Sequence, residues 1–230
     1  MRRYYIMAIS IILTILSLTG CARKTLKYDS LTNILEDAVA DSAWPGGVMM
    51  IGQGDKIIYH QAVGYHTYAQ KQETKKDDIF DLASISKVVG TTSAVMKLVE
   101  SDQLSLDDFA VKYVPELRGP DDIQTALKKT ITVRHLLTHT AGFEPFRLFY
   151  EMDCSVESRW DSVFQSKLIT KPGVNTVYSD IGLMIMGKIV ESVTGMAQNE
   201  YLEQAVFGPL EMDNTGYLPD PALINRIVPT

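Results

Sequence analysis

The sequence predicts a mixed α/β (α+β) domain, in which a short antiparallel hairpin precedes a mainly helical region. Two strand-like runs, 48–51 and 56–63, are joined by the turn-forming residues Gly-Gln-Gly-Asp. Apolar residues then recur at helical spacing in several later segments. The chain has 230 residues, 46% hydrophobic and 22% charged, which is ordinary for a globular protein with a sizeable core.

The extreme N-terminus predicts an export signal rather than part of the fold. Arg2 and Arg3 precede an apolar run, 6–18, that is too short to span a bilayer but fits the hydrophobic region of a signal peptide. The run leads into Leu-Thr-Gly-Cys, which resembles the lipobox of bacterial lipoproteins and ends at Cys21. We therefore expect cleavage before Cys21 and lipid attachment to it. The alternative is an ordinary secretory signal with an incidental cysteine.

The predicted organisation is a signal peptide over 1–20, a tether over 21–29 and a folded domain over 30–230. The protein would then be exported and lipid-anchored on the periplasmic or cell-surface side of a bacterial membrane. With Cys21 lipidated, Cys154 has no partner and no disulfide framework follows. A net charge of −6 and a pI near 5.2 argue against nucleic acid as a partner.

Helix signals bound the remaining elements. Ser30 is predicted to be the N-cap of a first helix, and the hairpin follows it. Thr132 is predicted to cap a short helix that ends at Gly142. An apolar helix over 181–193 ends at Gly195, and the final predicted helix covers 197–207. The segments 146–168 and 210–230 show weaker periodicity, and we expect helical or irregular structure in the first and loops in the second.

The segment 80–100 is predicted to hold the chemistry of the protein. Its apolar and small residues from position 88 onward recur at helical spacing, which indicates a helix buried on one face. Ser84 would lie at the start of this helix, with Lys87 one turn later on the same side. A serine hydroxyl becomes a nucleophile when a nearby base removes its proton, which a lysine can do if partial burial keeps it neutral. A Ser-x-x-Lys pattern also arises by chance, so a second base is needed.

Tyr178 is the candidate for that second base. It follows the turn Lys171-Pro172-Gly173 and precedes the apolar helix. A phenolate stabilised by a lysine ammonium can exchange protons with a serine, although a tyrosine that anchors a turn is the commoner case. His135 and His139, spaced i, i+4, would in principle suit zinc, but no glutamate adjoins His135 and no third ligand is evident.

Five segments, taken in order, are similar to the serine β-lactamase and penicillin-binding-protein superfamily, and to its class C-like branch of β-lactamases, D,D-peptidases and esterases. The resemblance extends from about residue 30 to the end of the chain. It is carried by Trp44-Pro45-Gly46-Gly47, Phe80-Asp81-Leu82-Ala83-Ser84-Ile85-Ser86-Lys87, the segment 135–143 (HLLTHTAGF), Pro172-Gly173 with Tyr178-Ser179-Asp180, and the segment 209–216 (PLEMDNTG).

The resemblance implies a β-lactamase/transpeptidase-like fold: an antiparallel sheet flanked by helices, plus an all-helical subdomain. It implies that Ser84 is acylated and supplies one oxyanion donor through its backbone N–H. Lys87 would activate Ser84, and Tyr178 would act with Lys87 as general base and acid. Ser86 and Asp180 would contact substrate. No metal or organic cofactor is implied, and the substrate would be a β-lactam, a D-Ala cell-wall peptide or a carboxylic ester.

Two departures from the family pattern qualify these expectations. Asp180 stands where the family more often has asparagine, and an ionised carboxylate would repel an anionic substrate, which favours an ester. No acceptable copy of the family's third motif, Lys or His followed by a small residue and Gly on a late strand, is found; Lys171-Pro172-Gly173 lies in a turn. The 230 residues are therefore expected to be an N-terminal portion of the fold, without its C-terminal strands. The alternative function is a catalytically silent lipoprotein, either a binding module or a remnant.

Overall fold

The computed structural model describes residues 28–230, which divide into two compact units, 28–78 and 79–228. In the first unit, helix α1 (Asp29–Ala40) precedes strands β1 (Gly46–Gln53) and β2 (Lys56–Gly64). The strands pair antiparallel, with a bulge between Ile51 and Gly52. This confirms the predicted hairpin, and within residues 28–230 the sheet has two strands. The prediction that Ser30 caps α1 is wrong, because the helix begins at Asp29, two residues earlier than predicted, and its N-cap Tyr28 makes no side-chain cap hydrogen bond.

The second unit is helical. Its helical run begins with a 3₁₀ turn (Ala83–Ile85) and a π-helical turn (Lys87–Thr92), and continues as α2 (Ser93–Glu100). The later α-helices are α3 (Asp122–Lys128), α4 (Val133–Leu137), α5 (Val156–Phe164), α6 (Asp180–Thr194) and α7 (Gln198–Leu202). A π-helical turn (Glu203–Phe207) extends α7, and shorter 3₁₀ turns occupy Ala110–Lys112, Phe149–Glu151 and Pro221–Arg226.

Helix α6 is the centre of the helical unit. Its buried residues include Ile181, Ile185, Met186, Ile189 and Val190, all inaccessible to solvent. They belong to one cluster with apolar residues of the other helices, including Leu98, Leu136, Phe164 and Leu202. Burial of a leucine or isoleucine side chain stabilises a fold by about 1.5–3 kcal/mol, so this cluster stabilises the packing of α2 against α6 and the neighbouring helices.

Several predicted helix boundaries are confirmed and others are corrected. Thr132 caps α4 by accepting a hydrogen bond from the His135 N–H, as predicted, and α6 ends at Gly195. Helix α4 ends at Leu137 rather than Gly142, because His139 adopts a left-handed φ of 57°. Val88, predicted on a buried face, is 64% exposed, because the wider π-helical turn rotates it away from the positions expected for an α-helix.

The helices of residues 28–230 include none that is both long enough and apolar enough to cross a membrane. Cys154 is a free, half-buried cysteine. The predicted signal peptide, most of the tether and Cys21 lie outside the described residues.

Candidate active site

The nucleophile candidate lies in a constrained turn. Ser84 is the middle residue of the 3₁₀ turn, and Ala83 before it has a φ of 44°, a strained conformation for a residue with a side chain. The Asp81 carboxylate accepts a hydrogen bond from the Ala83 N–H at 2.7 Å and fixes this turn. The helical path then brings Lys87 to the same side, where its Nζ donates to Ser84 Oγ at 3.0 Å. The predicted Ser84–Lys87 contact is therefore present.

The segment that carries Tyr178 is held by backbone hydrogen bonds to the segment 139–145. The Val177 N–H donates to the His139 carbonyl and the Asp180 N–H to the Pro145 carbonyl, both at 2.8 Å. Ser179 is buried, and its hydroxyl donates to the Glu144 carbonyl at 2.6 Å. The segment 139–145 thus supports the residues on both sides of Tyr178.

His139 packs directly against the tyrosine. Its ring centroid lies 4.4 Å from that of Tyr178, with an angle of 38° between the rings. Its Nδ1 accepts a hydrogen bond from the Ser179 N–H at 3.1 Å. Burial lowers the pKa of His139, and the nearby Lys87 charge lowers it further. The imidazole is therefore neutral near pH 7 with its proton on Nε2, and it orients Tyr178 without adding charge.

Lys87 is held as an ammonium. Its side chain is 19% exposed, and its Nζ lies 2.8 Å from an Asp180 carboxylate oxygen and 5.2 Å from the centre of the Tyr178 ring. Burial by itself lowers the pKa of Lys87, but hydrogen bonds to Asp180 and Tyr178 outweigh this and leave the pKa raised. The condition under which Lys87 would be a neutral base is therefore not met in this environment.

Tyr178 has the opposite shift. Hydrogen bonding to Ser84 and to Lys87 lowers the pKa of the Tyr178 phenol, while burial and the Asp180 charge oppose this only in part. Its side chain is 52% exposed and so accessible to a substrate. Of the two proton-transfer candidates, Tyr178 is the one whose environment favours the deprotonated form.

A cleft of about 350 Å³ adjoins these residues. Its walls include Ser86, Lys87, Trp160, Asp180 and Tyr217. The structure thus brings Ser84, Lys87, Tyr178 and Asp180 together and places Ser86 on the adjoining wall. Ser179, between Tyr178 and Asp180, is buried and directs its hydroxyl to the Glu144 carbonyl.

Sequence reasoning missed the packing of His139 on Tyr178 and three residues that line the cleft, Trp160, Gln198 and Tyr217. His139 was considered only as a metal ligand; the signal available was its position in the 135–143 motif. For the other three, no local pattern marks a role.

The Nδ1 atom of His135 accepts a hydrogen bond from the Thr132 N–H, so His135 and His139 each already have a backbone partner. Among residues 28–230, no group of three or more His, Cys, Asp or Glu side chains is arranged to hold a metal ion.

The family model described as "Beta-lactamase" matches residues 31–228. The chain belongs to the beta-lactamase family. The described residues show the corresponding fold, rich in helices with a small antiparallel sheet. The predicted superfamily and fold are therefore confirmed.

The chain is similar to a curated relative in sequence and to two solved structures in fold. The chain is 28% identical, over 195 residues, to a protein of Escherichia coli O157:H7 named "Putative D-alanyl-D-alanine carboxypeptidase", with 78% of this chain and 44% of that protein covered. Among solved structures, the hydrolase EstCE1 superposes with a TM-score of 0.76 at 24% identity, over 86% of this chain and 54% of its own. A class C beta-lactamase superposes with a TM-score of 0.74 at 21% identity, over 87% and 53%. The chain spans about half the length of the relatives it matches.

Proposed function

We propose that this protein is a serine hydrolase that cleaves an ester or amide through an acyl-enzyme on Ser84. The observation that carries the proposal is the position of the Lys87 ammonium, 3.0 Å from Ser84 Oγ, beside a tyrosine whose pKa it lowers. This arrangement provides a nucleophile, a base and a group that stabilises the ionised base. Membership of the beta-lactamase family supports the same reaction class.

In the proposed first step, the Tyr178 phenolate accepts the proton of Ser84 as Ser84 Oγ attacks the substrate carbonyl carbon. Lys87 remains an ammonium throughout and stabilises negative charge on Tyr178. The Ser84 backbone N–H donates to the oxyanion that forms. When the carbon–leaving-group bond breaks, the Tyr178 hydroxyl protonates the leaving group. Water then attacks the acyl-serine, with Tyr178 taking its proton and returning one to Ser84.

For the substrate, we propose a carbonyl compound of the β-lactam, D-Ala peptide or carboxylic ester classes, with the ester preferred. Asp180 is 49% exposed and one of its oxygens is paired with Lys87. The other carboxylate oxygen can only accept hydrogen bonds, and its negative charge repels an anionic group on a substrate. EstCE1, a hydrolase with promiscuous acyltransferase activity, has the same fold.

We also propose that the protein is exported and anchored by lipid at Cys21, on the strength of the charged, apolar and lipobox segments in sequence. Metabolic labelling with a clickable palmitate analogue tests this. The expected result is label on the wild-type chain and none on Cys21→Ala; equal labelling of both would overturn it. A matched Cys154→Ala variant is expected to keep the label.

The catalytic proposal is tested by intact-mass analysis of the full chain, purified in detergent, after treatment with a fluorophosphonate and separately with a penicillin. One adduct, mapped to Ser84 and lost in Ser84→Ala, is expected. Ser101→Ala is the matched control, because this exposed hydroxyl, at the end of α2, donates to the Lys97 and Leu98 carbonyls and accepts from the Gln103 side chain. A folded wild-type chain that forms no adduct with either reagent would contradict the proposal and favour a silent binding module.

A further inference from the structure

The residue that carries the ammonium begins an unusual helical turn. Lys87–Thr92 is π-helical, between a 3₁₀ turn and the regular helix α2. Single π-helical turns are rare, and those that occur are often at functional sites. Two of its carbonyls accept side-chain hydroxyls from the next turn: Lys87 from Thr92 at 2.8 Å and Val88 from Ser93 at 3.1 Å. Because a π-helical turn is less stable than an α-helical one, contacts outside the helix are expected to maintain it.

One such contact is Tyr217, which lies in the loop after the last π-helical turn and packs on Gly90. A Cβ atom on Gly90 would lie 2.3 Å from the Tyr217 hydroxyl oxygen and 3.3 Å from its Cζ. Gly90 is buried in the middle of the π-helical turn. The absence of a side chain at position 90 therefore allows the hydroxyl of Tyr217 to lie against the turn.

Gln198 connects this contact to the rest of the site. Its Nε2 donates to the Thr91 hydroxyl and to the Tyr217 hydroxyl, both at 3.2 Å. Its carboxamide oxygen lies against Gly187, where a Cβ atom would come within 2.6 Å. Gly187 belongs to α6, the helix whose first residue is Asp180. Gln198 thus touches both the turn that carries Lys87 and the helix that carries its carboxylate partner.

We propose that Tyr217 and Gln198 are positioning residues that brace the π-helical turn of Lys87 against helix α6, and so set the distance of the ammonium from Ser84 and Tyr178. This inference rests on the proposed function, because the pair acts through Lys87 and does not contact the reacting atoms. A displaced ammonium would stabilise the Tyr178 phenolate less well. Losing the brace therefore changes the pH at which Ser84 reacts, whereas a loss of folding stability alone would not.

The test is the second-order rate of Ser84 labelling by a fluorophosphonate, measured against pH on the full chain. Gly90→Ala is expected to slow labelling roughly 10- to 100-fold, the range for small misplacements, and to shift its rise with pH to higher pH. The double variant Gly90→Ala with Tyr217→Phe removes the oxygen that the new methyl would meet, so its rate is expected to recover to that of Tyr217→Phe alone. Gly216→Ala, where a Cβ meets nothing within 4 Å, is the matched control.

Two further variants keep the test valid if circular dichroism shows that Gly90→Ala does not fold. Tyr217→Phe and Gln198→Leu preserve volume, and we expect each to slow labelling roughly 3- to 10-fold, about what a lost hydrogen bond produces, with the same alkaline shift. Tyr150→Phe, at an exposed tyrosine, is the control for hydroxyl removal. Wild-type rates and pH profiles in both brace variants would overturn the inference, as would a folded Gly90→Ala variant that behaves like wild type.

An activity-independent measurement separates this inference from the proposed function. Ionisation of Tyr178 is followed by ultraviolet absorbance, as the difference between each protein and the same protein with Tyr178→Phe. Loss of the brace is expected to move this ionisation to higher pH, and the Gly90→Ala, Tyr217→Phe double variant is expected to move it back as far as Tyr217→Phe alone. If the wild type is not labelled, the proposed function fails and this titration still decides the inference. An unchanged titration in the folded variants overturns it.

Discussion

Two lysines of the helical unit show that burial alone does not decide how a charge behaves. Lys87 is 19% exposed and meets a carboxylate at 2.8 Å, and its pKa is raised. Lys128 is wholly inaccessible and donates to two backbone carbonyls, of Arg118 at 2.8 Å and of Phe164 at 2.7 Å. Burial lowers the pKa of Lys128 from 10.5 to about 8, and the Arg118 charge adds to this.

The difference lies in the partners. Carbonyl oxygens satisfy the donors of an amine or an ammonium, so they hold Lys128 in place without opposing the effect of burial. Asp180 carries a full charge, which outweighs the burial of Lys87. Lys128 therefore ties the loop at Arg118 to the end of α5 as a structural crosslink, whereas Lys87 is a cation maintained beside a tyrosine. Substitution of the two lysines should accordingly give opposite results.

The largest effect is expected from Lys87→Met on chemistry. Without the ammonium, the pKa of Tyr178 rises and less phenolate is present at pH 7. Labelling of Ser84 by a fluorophosphonate should then slow by roughly 10²- to 10⁴-fold, the usual contribution of general base catalysis. The free energy of unfolding should change by less than about 1 kcal/mol, as for other partly exposed ion pairs. Near-normal labelling of a folded Lys87→Met variant would show that the ammonium is not needed.

The converse is expected for Lys128→Met, which preserves bulk but leaves two buried carbonyls without donors. We expect a loss of about 1–3 kcal/mol in the free energy of unfolding, measured with urea, because unsatisfied buried polar groups are costly. The labelling rate of the folded protein should be unchanged. Lys129→Met, at the exposed neighbouring position, is the matched control and should have little effect on either quantity. A stable Lys128→Met variant would contradict the structural role.

A related effect is expected in the pH dependence of stability. Between pH 8 and pH 10.5 the Lys128 side chain is mostly protonated in the unfolded chain but mostly neutral in the folded one. Since the unfolded state binds more protons, the contribution of Lys128 to the free energy of unfolding rises with pH across this window, by at most about 1.4 kcal/mol per pH unit. The advantage of wild type over Lys128→Met should therefore grow from pH 8 to pH 10.5. A constant difference would show that the pKa is not lowered.

The contrast between the lysines also shows what could be predicted from sequence. Ser84 and Lys87 are three positions apart, so helical spacing was enough to predict their contact. The meeting with Tyr178 and Asp180 was implied by the family resemblance and not by spacing, because it depends on how the segment 139–145 holds a distant turn. The charge on Lys87 follows from the position of Asp180, which local sequence does not encode.

The features that were missed depend on contacts between residues far apart in sequence. Gln198 and Thr91 are 107 residues apart, and Lys128 and Phe164 are 36 apart. The π-helical turn at 87–92 was predicted as ordinary helix, because its residues have no pattern that distinguishes the two forms. The hairpin and α6 were predicted correctly, since a turn between strand-like runs and a continuous apolar helix are determined locally.

The smallest and most discriminating change is Asp180→Asn, which makes the surroundings of Lys87 more like those of Lys128. The asparagine side chain can still accept a hydrogen bond but carries no charge, so the pKa of Lys87 falls. The pKa of Tyr178 falls too while Lys87 is protonated, because Asp180 raises it. The rise of Ser84 labelling with pH, set by Tyr178, and its fall at higher pH, set by Lys87, should therefore both move to lower pH. The labelling rate near pH 7 should be roughly 2- to 5-fold faster.

The same variant tests substrate preference, because removing the carboxylate removes its repulsion of anionic ligands. Acylation by a penicillin, which carries a carboxylate, should gain more than acylation by an uncharged ester of similar size. Asp213→Asn, a carboxylate change in the loop after α7, is the matched control and should leave both rates unaltered. Equal gains for the two reagents would show that Asp180 acts only through Lys87 and Tyr178. A larger gain for the penicillin would show that it also selects the substrate by charge.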